Sequence, residues 1–383
     1  MLRRAVSIVV LTCSIFLLSD CARFKINDLE SSTVLSLSLT ATPNEPINRL
    51  PVAVKEGALY GLPDRPAIFE KRILLGLPEK NLILEFSEGG GRPEQVFLPE
   101  KTQLPAAYKD AKLKVIHLPA GQIGQTMPAS NATIIQLFHK GSDHKVDENE
   151  PEYRMPAILF PESMQQPKSE LIALRSSADR PIRLAADKDG STAFTQIWQI
   201  VAGKKDYLYV LHSSPTGQLL LNVYQELALI TVLSLPDNFA ALALQDTNLP
   251  KDISVDIENV MPFTGKAEAL ATVVIRRKNN FEPLQRVLFF IDRSSTVKEI
   301  YRYDDKAALP VWTTDEGGFL LSQDEDGESM LLKVYSSNAQ YEHNNRVRYQ
   351  GLRESYQDTF FNGENRLFSV TIIRGVYEII EWK

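Results

Sequence analysis

Leu184-Ala185-Ala186-Asp187-Lys188-Asp189-Gly190 and Leu321-Ser322-Gln323-Asp324-Glu325-Asp326-Gly327 align without a gap, and each runs into an apolar stretch, ending at Trp198 and Tyr335 respectively. Their offset, 324 − 187 = 137, is three periods of about 46 residues, the length of one four-stranded propeller blade. Turns recur near that spacing at Gly89-Gly90-Gly91, Gly141-Ser142-Asp143, Pro236-Asp237-Asn238, Lys278-Asn279-Asn280 and Asn362-Gly363-Glu364-Asn365. Between them lie short runs rich in Val, Ile, Leu, Tyr and Phe, such as Tyr207 to Leu211 and Val287 to Ile291, which read as strands. Helical patterning is confined to Phe239 to Gln245, after the N-cap candidate Asp237, and to Ala106 to Lys112. The expectation is an all-β protein, a β-propeller of about seven four-stranded blades, with six or eight left open, whose marked turns join second and third strands. Two β-sandwich domains are the competing fold, since sandwiches also show short strands but share no period.

The chain has 383 residues, 44% hydrophobic and 23% charged, with two cysteines. This excludes a disordered tail, a collagen, a disulfide mini-scaffold and a multi-span membrane protein. The N-terminus opens with Met1-Leu2-Arg3-Arg4 and an apolar run from Ala5 to Leu18, too short to span a bilayer and suited to an export signal. Leu18-Ser19-Asp20-Cys21 follows and resembles the relaxed, spirochaete-like lipobox of bacterial lipoproteins. The resemblance implies that residues 1–20 are removed and that Cys21 is the lipid-attachment residue, carrying a diacylglyceryl thioether and a palmitate-type N-acyl chain. More than one acyl chain suffices for stable attachment to a bilayer. Cys13 leaves with the signal, so Cys21 has no disulfide partner and lipidation gives it a use. Ala22, where inner-membrane lipoproteins of enteric type often carry Asp, implies the outer membrane.

Residues 21–66 read as a tether rich in Ser, Thr, Pro and Asn, with one docked strand where Leu35, Leu37 and Leu39 alternate with Ser36, Ser38 and Thr40. That strand is expected to cover an exposed edge. Residues 67–383 form the propeller, with Leu367 to Ile373 and Val376 to Trp382 as the third and fourth strands of its last blade, so that closure by the N-terminal strand is unnecessary. Loss of Arg3, Arg4 and Asp20 takes the net charge from −6 to −7. An acidic chain without a basic tract is a poor partner for nucleic acid.

Chemical motifs are sparse. His139 and His144, beside Asp143 and Asp147, match no metal-ligand template and read as a solvated loop. Asp187-x-Asp189-Gly190 and Asp324-x-Asp326-Gly327 read as hairpin turns; an EF-hand beginning at Ser322 would need Glu where Lys333 stands. Both resemble the Asp-box of sialidase-type propellers, but with the glycine one residue late, so no function is carried over. Ser295-Thr296-Val297-Lys298 matches a Lys-activated serine motif that must open a helix, whereas it lies between strands. Trp198, Trp312 and Trp382 read as core by default, with a binding rim lined by aromatics as the alternative. The run Arg346-Val347-Arg348-Tyr349-Gln350-Gly351-Leu352-Arg353 is the one cationic and aromatic cluster, and reads as a solvated outer strand.

No catalytic, cofactor-binding or metal residue is assigned, and no cofactor is expected. The expected function is that of a lipid-anchored cell-envelope protein, a non-enzymatic module binding other proteins and, if outward-facing, an adhesin-like binder of host or matrix macromolecules. The alternatives are a periplasmic scaffold for outer-membrane assembly and a propeller hydrolase with carboxylates and histidines gathered at its channel.

Overall fold

Arg72-Ile73-Leu74-Leu75-Gly76-Leu77 is apolar at odd and even positions alike, and on a pleated strand successive side chains point to opposite faces. Such a strand needs cover on both sides. In the computed structural model it has that cover: Ile73, Leu75 and Leu77 pack with Leu35, Leu37 and Phe368 on one side, while Leu74 packs with Ile123, Ile135 and Ile172 on the other. Ala269, Ala271, Val273 and Ile275 likewise face one neighbouring sheet, and Leu270 the other. Each fully buried Leu or Ile contributes about 1.5–3 kcal/mol.

The structure describes residues 26–40, 49–138 and 169–383, short stretches within the last two ranges excepted. Six sheets with four-stranded antiparallel cores follow one another along the chain, beside a separate two-stranded pair, Ala53–Lys55 with Ala58–Tyr60. Blade 1 holds Ala67–Phe69, Arg72–Leu77, Leu82–Ser87 and Gln95–Pro99; blade 2 holds Gln122–Ala129, Ala132–Phe138, Ser169–Arg175 and Ile182–Ala185. Blade 3 holds Ala193–Ala202, Lys205–Ser213, Leu219–Gln225 and Ala228–Ser234; blade 4 holds Ile253–Pro262, Ala269–Arg277, Pro283–Ile291 and Val297–Tyr303. Blade 5 holds Leu309–Thr313, Phe319–Asp324, Ser329–Tyr335 and Tyr341–Arg348. Blade 6 takes Tyr356–Phe361, Leu367–Ile373 and Val376–Trp382 from the C-terminus, and its fourth strand is Ser31–Thr40. First strands of neighbouring blades touch, as Gln122–Ala129 does with Ala193–Ala202 and Leu309–Thr313 with Tyr356–Phe361, so they lie innermost. The protein is a six-bladed β-propeller.

Two expectations are corrected. The blade number is six, not seven, because the turns marked in the sequence do not occupy one structural position: Gly89–Gly91 joins third and fourth strands, Asp324–Gly327 joins second and third, Asn362–Asn365 joins first and second, and Pro236–Asn238 lies between blades. First strands start at 67, 122, 193, 253, 309 and 356, with spacings from 356 − 309 = 47 to 193 − 122 = 71 residues. The aligned segments are likewise not equivalent, since Leu184 ends an outermost strand and Leu321 lies in a second strand. Closure by the N-terminus is also required, because Leu367–Ile373 and Val376–Trp382 are the second and third strands of blade 6. Ser31–Thr40 pairs antiparallel with Val376–Trp382 from Ser31↔Trp382 to Ser38↔Val376, and Glu30 and Lys383 exchange both backbone hydrogen bonds at 2.8 Å. Its leucines turn inward as the alternation predicts, with Leu35 and Leu37 both 2% exposed.

Every seam between blades is bridged by a hydrogen bond that engages the first–second hairpin, or the strand end beside it, of at least one of the two blades. Arg72 spends all five guanidinium donors there: on both Glu85 oxygens (2.8 and 3.2 Å), Thr133 Oγ1 (2.6 Å), and the Ala129 and Ala132 carbonyls of blade 2 (3.2 and 3.3 Å). Asp206 of blade 3 accepts from the Ser130 amide of blade 2 at 2.8 Å. The Tyr209 hydroxyl of blade 3 lies 3.0 Å from the Phe263 and Lys266 carbonyls of blade 4. Thr313 donates to the Pro262 carbonyl at 2.7 Å, and Trp312 donates to Asn365 at 2.6 Å. At the closing seam Arg366 of blade 6 reaches Glu381 and, in blade 1, Glu88 (both 2.7 Å) and the Glu70 carbonyl (3.0 Å), while Asn362 donates to the Ile68 carbonyl at 3.2 Å.

Outer edges are treated unequally. Short strands add in parallel to the fourth strands of three blades: Lys114–Leu118 on blade 1, Ile26–Asp28 on blade 5 and Arg49–Pro51 on blade 6. Residues 26–40 thus belong to the sheets.

Burial disfavours the charge on Glu381, but hydrogen bonds from Arg366 and Lys383 outweigh it and hold the carboxyl below the usual range. Arg366→Ala is expected to cost about 2–4 kcal/mol in urea unfolding, somewhat less than a fully buried pair because Arg366 is partly exposed. A depressed carboxylate stabilises above its unfolded pKa and loses that contribution as pH falls through the folded value. Wild-type stability should therefore drop below about pH 4.3, and the variant should show a shallower acid slope. An unchanged midpoint and slope would refute the clamp.

Candidate functional site at the outer rim

Of the residues singled out in the sequence, Cys21, His139, His144 and the turn Asp187 to Gly190 lie outside the described residues. Trp198, Trp312 and Trp382 are buried core side chains. Gly327 adopts φ +76 at its hairpin, the left-handed conformation an Asp-Gly turn supplies. Ser295 and Thr296 lie in the hairpin before the outer strand of blade 4, and Val297 and Lys298 open that strand: Asp292 accepts the amides of Ser294 (2.8 Å) and Thr296 (2.9 Å), and Ser295 Oγ accepts the Ser234 amide of blade 3. That serine closes a seam and opens no helix.

The cationic cluster is the one sequence-selected group that the fold assembles into a site. Arg346 and Arg348 lie on the fourth strand of blade 5, on to which the N-terminal strand Ile26–Asp28 adds in parallel. Arg348 grips Asp28 with two bonds, Nη2 at 3.0 Å and Nε at 3.1 Å. Arg346 donates to Glu325 from Nη2 at 3.0 Å, forms an ion pair with the same carboxylate, and lies 3.7 Å from Asp28. Its backbone carbonyl accepts the Leu29 amide at 2.9 Å, and Asn27 donates to Asn345 at 3.3 Å. The expected solvated strand is instead a dock for the chain's own N-terminal segment. Sequence reading missed the partners Asp28 and Glu325; a lone basic cluster in an acidic chain was the available signal that carboxylates would seek it.

Several other ionisable groups are taken up by packing. Burial pushes up the hydroxyls of Tyr108, Tyr209 and Tyr377, all core residues. Glu258 is held by Arg276 at 3.0 Å and Arg286 at 2.6 Å, and Arg65 pairs with Asp358 while lying over the Phe360 ring. Among the described residues no three His, Cys, Asp or Glu side chains converge to hold a metal ion.

No family model matches the chain, and no curated protein matches it in sequence. Solved structures do resemble it: the WD40 domain of Toxoplasma gondii coronin (8% identity, 94% of this chain and 87% of that one, TM-score 0.37) and the polysaccharide lyase Uly1 (8%, 94% and 99%, 0.41). The subtype N10 neuraminidase-like protein of A/little yellow-shouldered bat/Guatemala/060/2010 is similar at 8% identity over 84% of this chain and 95% of that one, TM-score 0.41. At such scores the propeller assignment stands on the chain's own sheet topology.

Exposed ion pairs are worth about 0–1 kcal/mol each, so the dock is a local device. Changing Arg346 and Arg348 together to Ala should speed hydrogen exchange at residues 26–29 at least several-fold while Tm moves by only about 2 °C. Unchanged exchange there would refute the role given to the two arginines.

Proposed function

We propose that this is a lipid-anchored protein of the bacterial cell envelope, attached to the outer membrane through Cys21, whose propeller serves as a non-enzymatic module for binding other proteins. The observation that carries the reading is the short distance along the chain from Cys21 to the Asp28 dock. Five residue steps separate Cys21 from Ile26, the first residue of the strand on blade 5, and extended chain covers at most about 3.6 Å per step. The outer rim of blade 5 therefore rides within about 18 Å of the bilayer surface. An anchor held at one rim turns the opposite rim away from the membrane and leaves both axial faces open from the side, a presentation suited to capturing macromolecules.

Glu85, Glu258, Glu325 and Glu381 are each paired with arginine and act in the fold. If the protein faces outward, host or matrix macromolecules are its ligands.

Cys21→Ala tests the anchor: the variant should leave the detergent phase and the membrane pellet for the aqueous fraction, and continued partition with membranes would overturn the reading. Protease added to intact cells tests the orientation, with loss of the propeller expected for an outward-facing module and full protection contradicting it.

A further inference from the structure

The outer edges of the six blades differ in how they are protected. Blades 1, 5 and 6 are covered by added strands. The fourth strand of blade 4, Val297-Lys298-Glu299-Ile300-Tyr301-Arg302-Tyr303, carries three charges, and that of blade 2, Ile182–Ala185, has four residues. Short or charged edges resist pairing with another chain. Among the described residues, blade 3 has neither device. Its fourth strand, Ala228-Leu229-Ile230-Thr231-Val232-Leu233-Ser234, has seven residues, no charge and no proline, and Leu229, Ile230 and Val232 are 53%, 51% and 44% exposed.

The neutrality extends beyond the strand. From Ala228 to Gln245 the 18 residues include one charge, Asp237, where a chain that is 23% charged would carry about four. The helix Phe239–Ala243 follows in this stretch, and Leu244 beyond it is also exposed. The edge's protection is slight: a bulge leaves Ile230 unpaired between Thr231 and Leu229, and the Ser234 amide is taken by Ser295 of blade 4.

We infer that the outer strand of blade 3 pairs edge to edge with the same strand of a second copy of this chain, forming a two-fold dimer. A lipid surface is the wrong cover, because backbone N–H and C=O groups on an open edge would go unsatisfied in hydrocarbon. A strand satisfies them and covers the apolar side chains together. The second copy fits by its charge pattern: antiparallel pairing of Ala228–Ser234 with itself sets only uncharged residues opposite one another in every register. The edge of blade 4 in the same arrangement, centred on Ile300, would set Lys298 against Arg302, a like-charge contact that destabilises a pair. In a two-fold interface the same patch serves both partners, so self-complementarity is the property required.

One strand pair buries less than the roughly 800 Å² per partner of a standard interface, so the dimer is weak. The test is sedimentation velocity of the full chain, with Cys21→Ala so that no acyl chain contributes, up to on the order of 100 μM. A concentration-dependent dimer is expected, and a double variant Ile230→Lys, Val232→Lys should stay monomeric throughout. Both sites are exposed, so the variant should keep the wild-type unfolding transition, measured alongside. Monomer at every concentration would overturn the inference. So would a dimer that the two lysines leave intact, or a monomer whose binding to phosphatidylglycerol vesicles the lysines abolish, which would assign the edge to lipid.

Discussion

Every blade of this protein is a sheet buried on both faces, and that requirement governs the rest. A sheet such as that containing Leu82-Ile83-Leu84 sends Leu82 and Leu84 to one neighbour and Ile83 to the other. No blade can end the series without exposing a full apolar face, so the series must close on itself. Closure puts blade 6 against blade 1, and the chain secures that contact twice: Ser31–Thr40 completes blade 6 before the chain enters blade 1, and Arg366 with Asn362 ties the hairpins of the two blades together. The remaining seams use one residue type each time the local chemistry allows it, an arginine, an aspartate, a tyrosine, a threonine or a tryptophan. The common element is position, since each engages the hairpin between first and second strands, or the strand end beside it, of at least one blade.

Closure by the N-terminal strand also decides where an N-terminal anchor would act. The same segment that supplies the last strand lies against blade 5 through Asp28, Arg346 and Arg348, so an acyl chain at Cys21 would pull on the seam region of the ring. Under the proposed anchor, tension there would fall on the backbone pairing along Ser31–Thr40 and on the buried Leu35 and Leu37, and membrane attachment would share one stretch of chain with ring closure.

Much of this was legible in the sequence. The all-β class, the alternation of Leu35 and Leu37 with serines and the short helix near Phe239 follow from pattern; the propeller was reached through a period of about 46 residues that the blades do not keep. The blade number did not follow, because blade lengths vary with their connectors and Gly, Asp and Asn punctuate every kind of turn alike. A better sequence signal lay in the strands themselves: Ile73-Leu74-Leu75 and Leu270-Ala271-Thr272-Val273-Val274-Ile275 are apolar on both faces, which argues against sandwiches with a wet side and for stacked blades. The docking of the arginine cluster was hidden because Asp28 and Arg348 are 320 residues apart, and a pairing that distant leaves no local trace.

The central claim is that Ser31–Thr40 is an integral strand of a closed ring rather than a segment resting on it. Native-state hydrogen exchange measures this directly, since amides that open only with the whole fold exchange at the global free energy. The account predicts that the paired amides of Ser31–Thr40 exchange as slowly as those of Val376–Trp382 and that both sets slow together as the ring is stabilised. Exchange of Ser31–Thr40 at the rate of a fraying terminus, with Val376–Trp382 still protected, would contradict it.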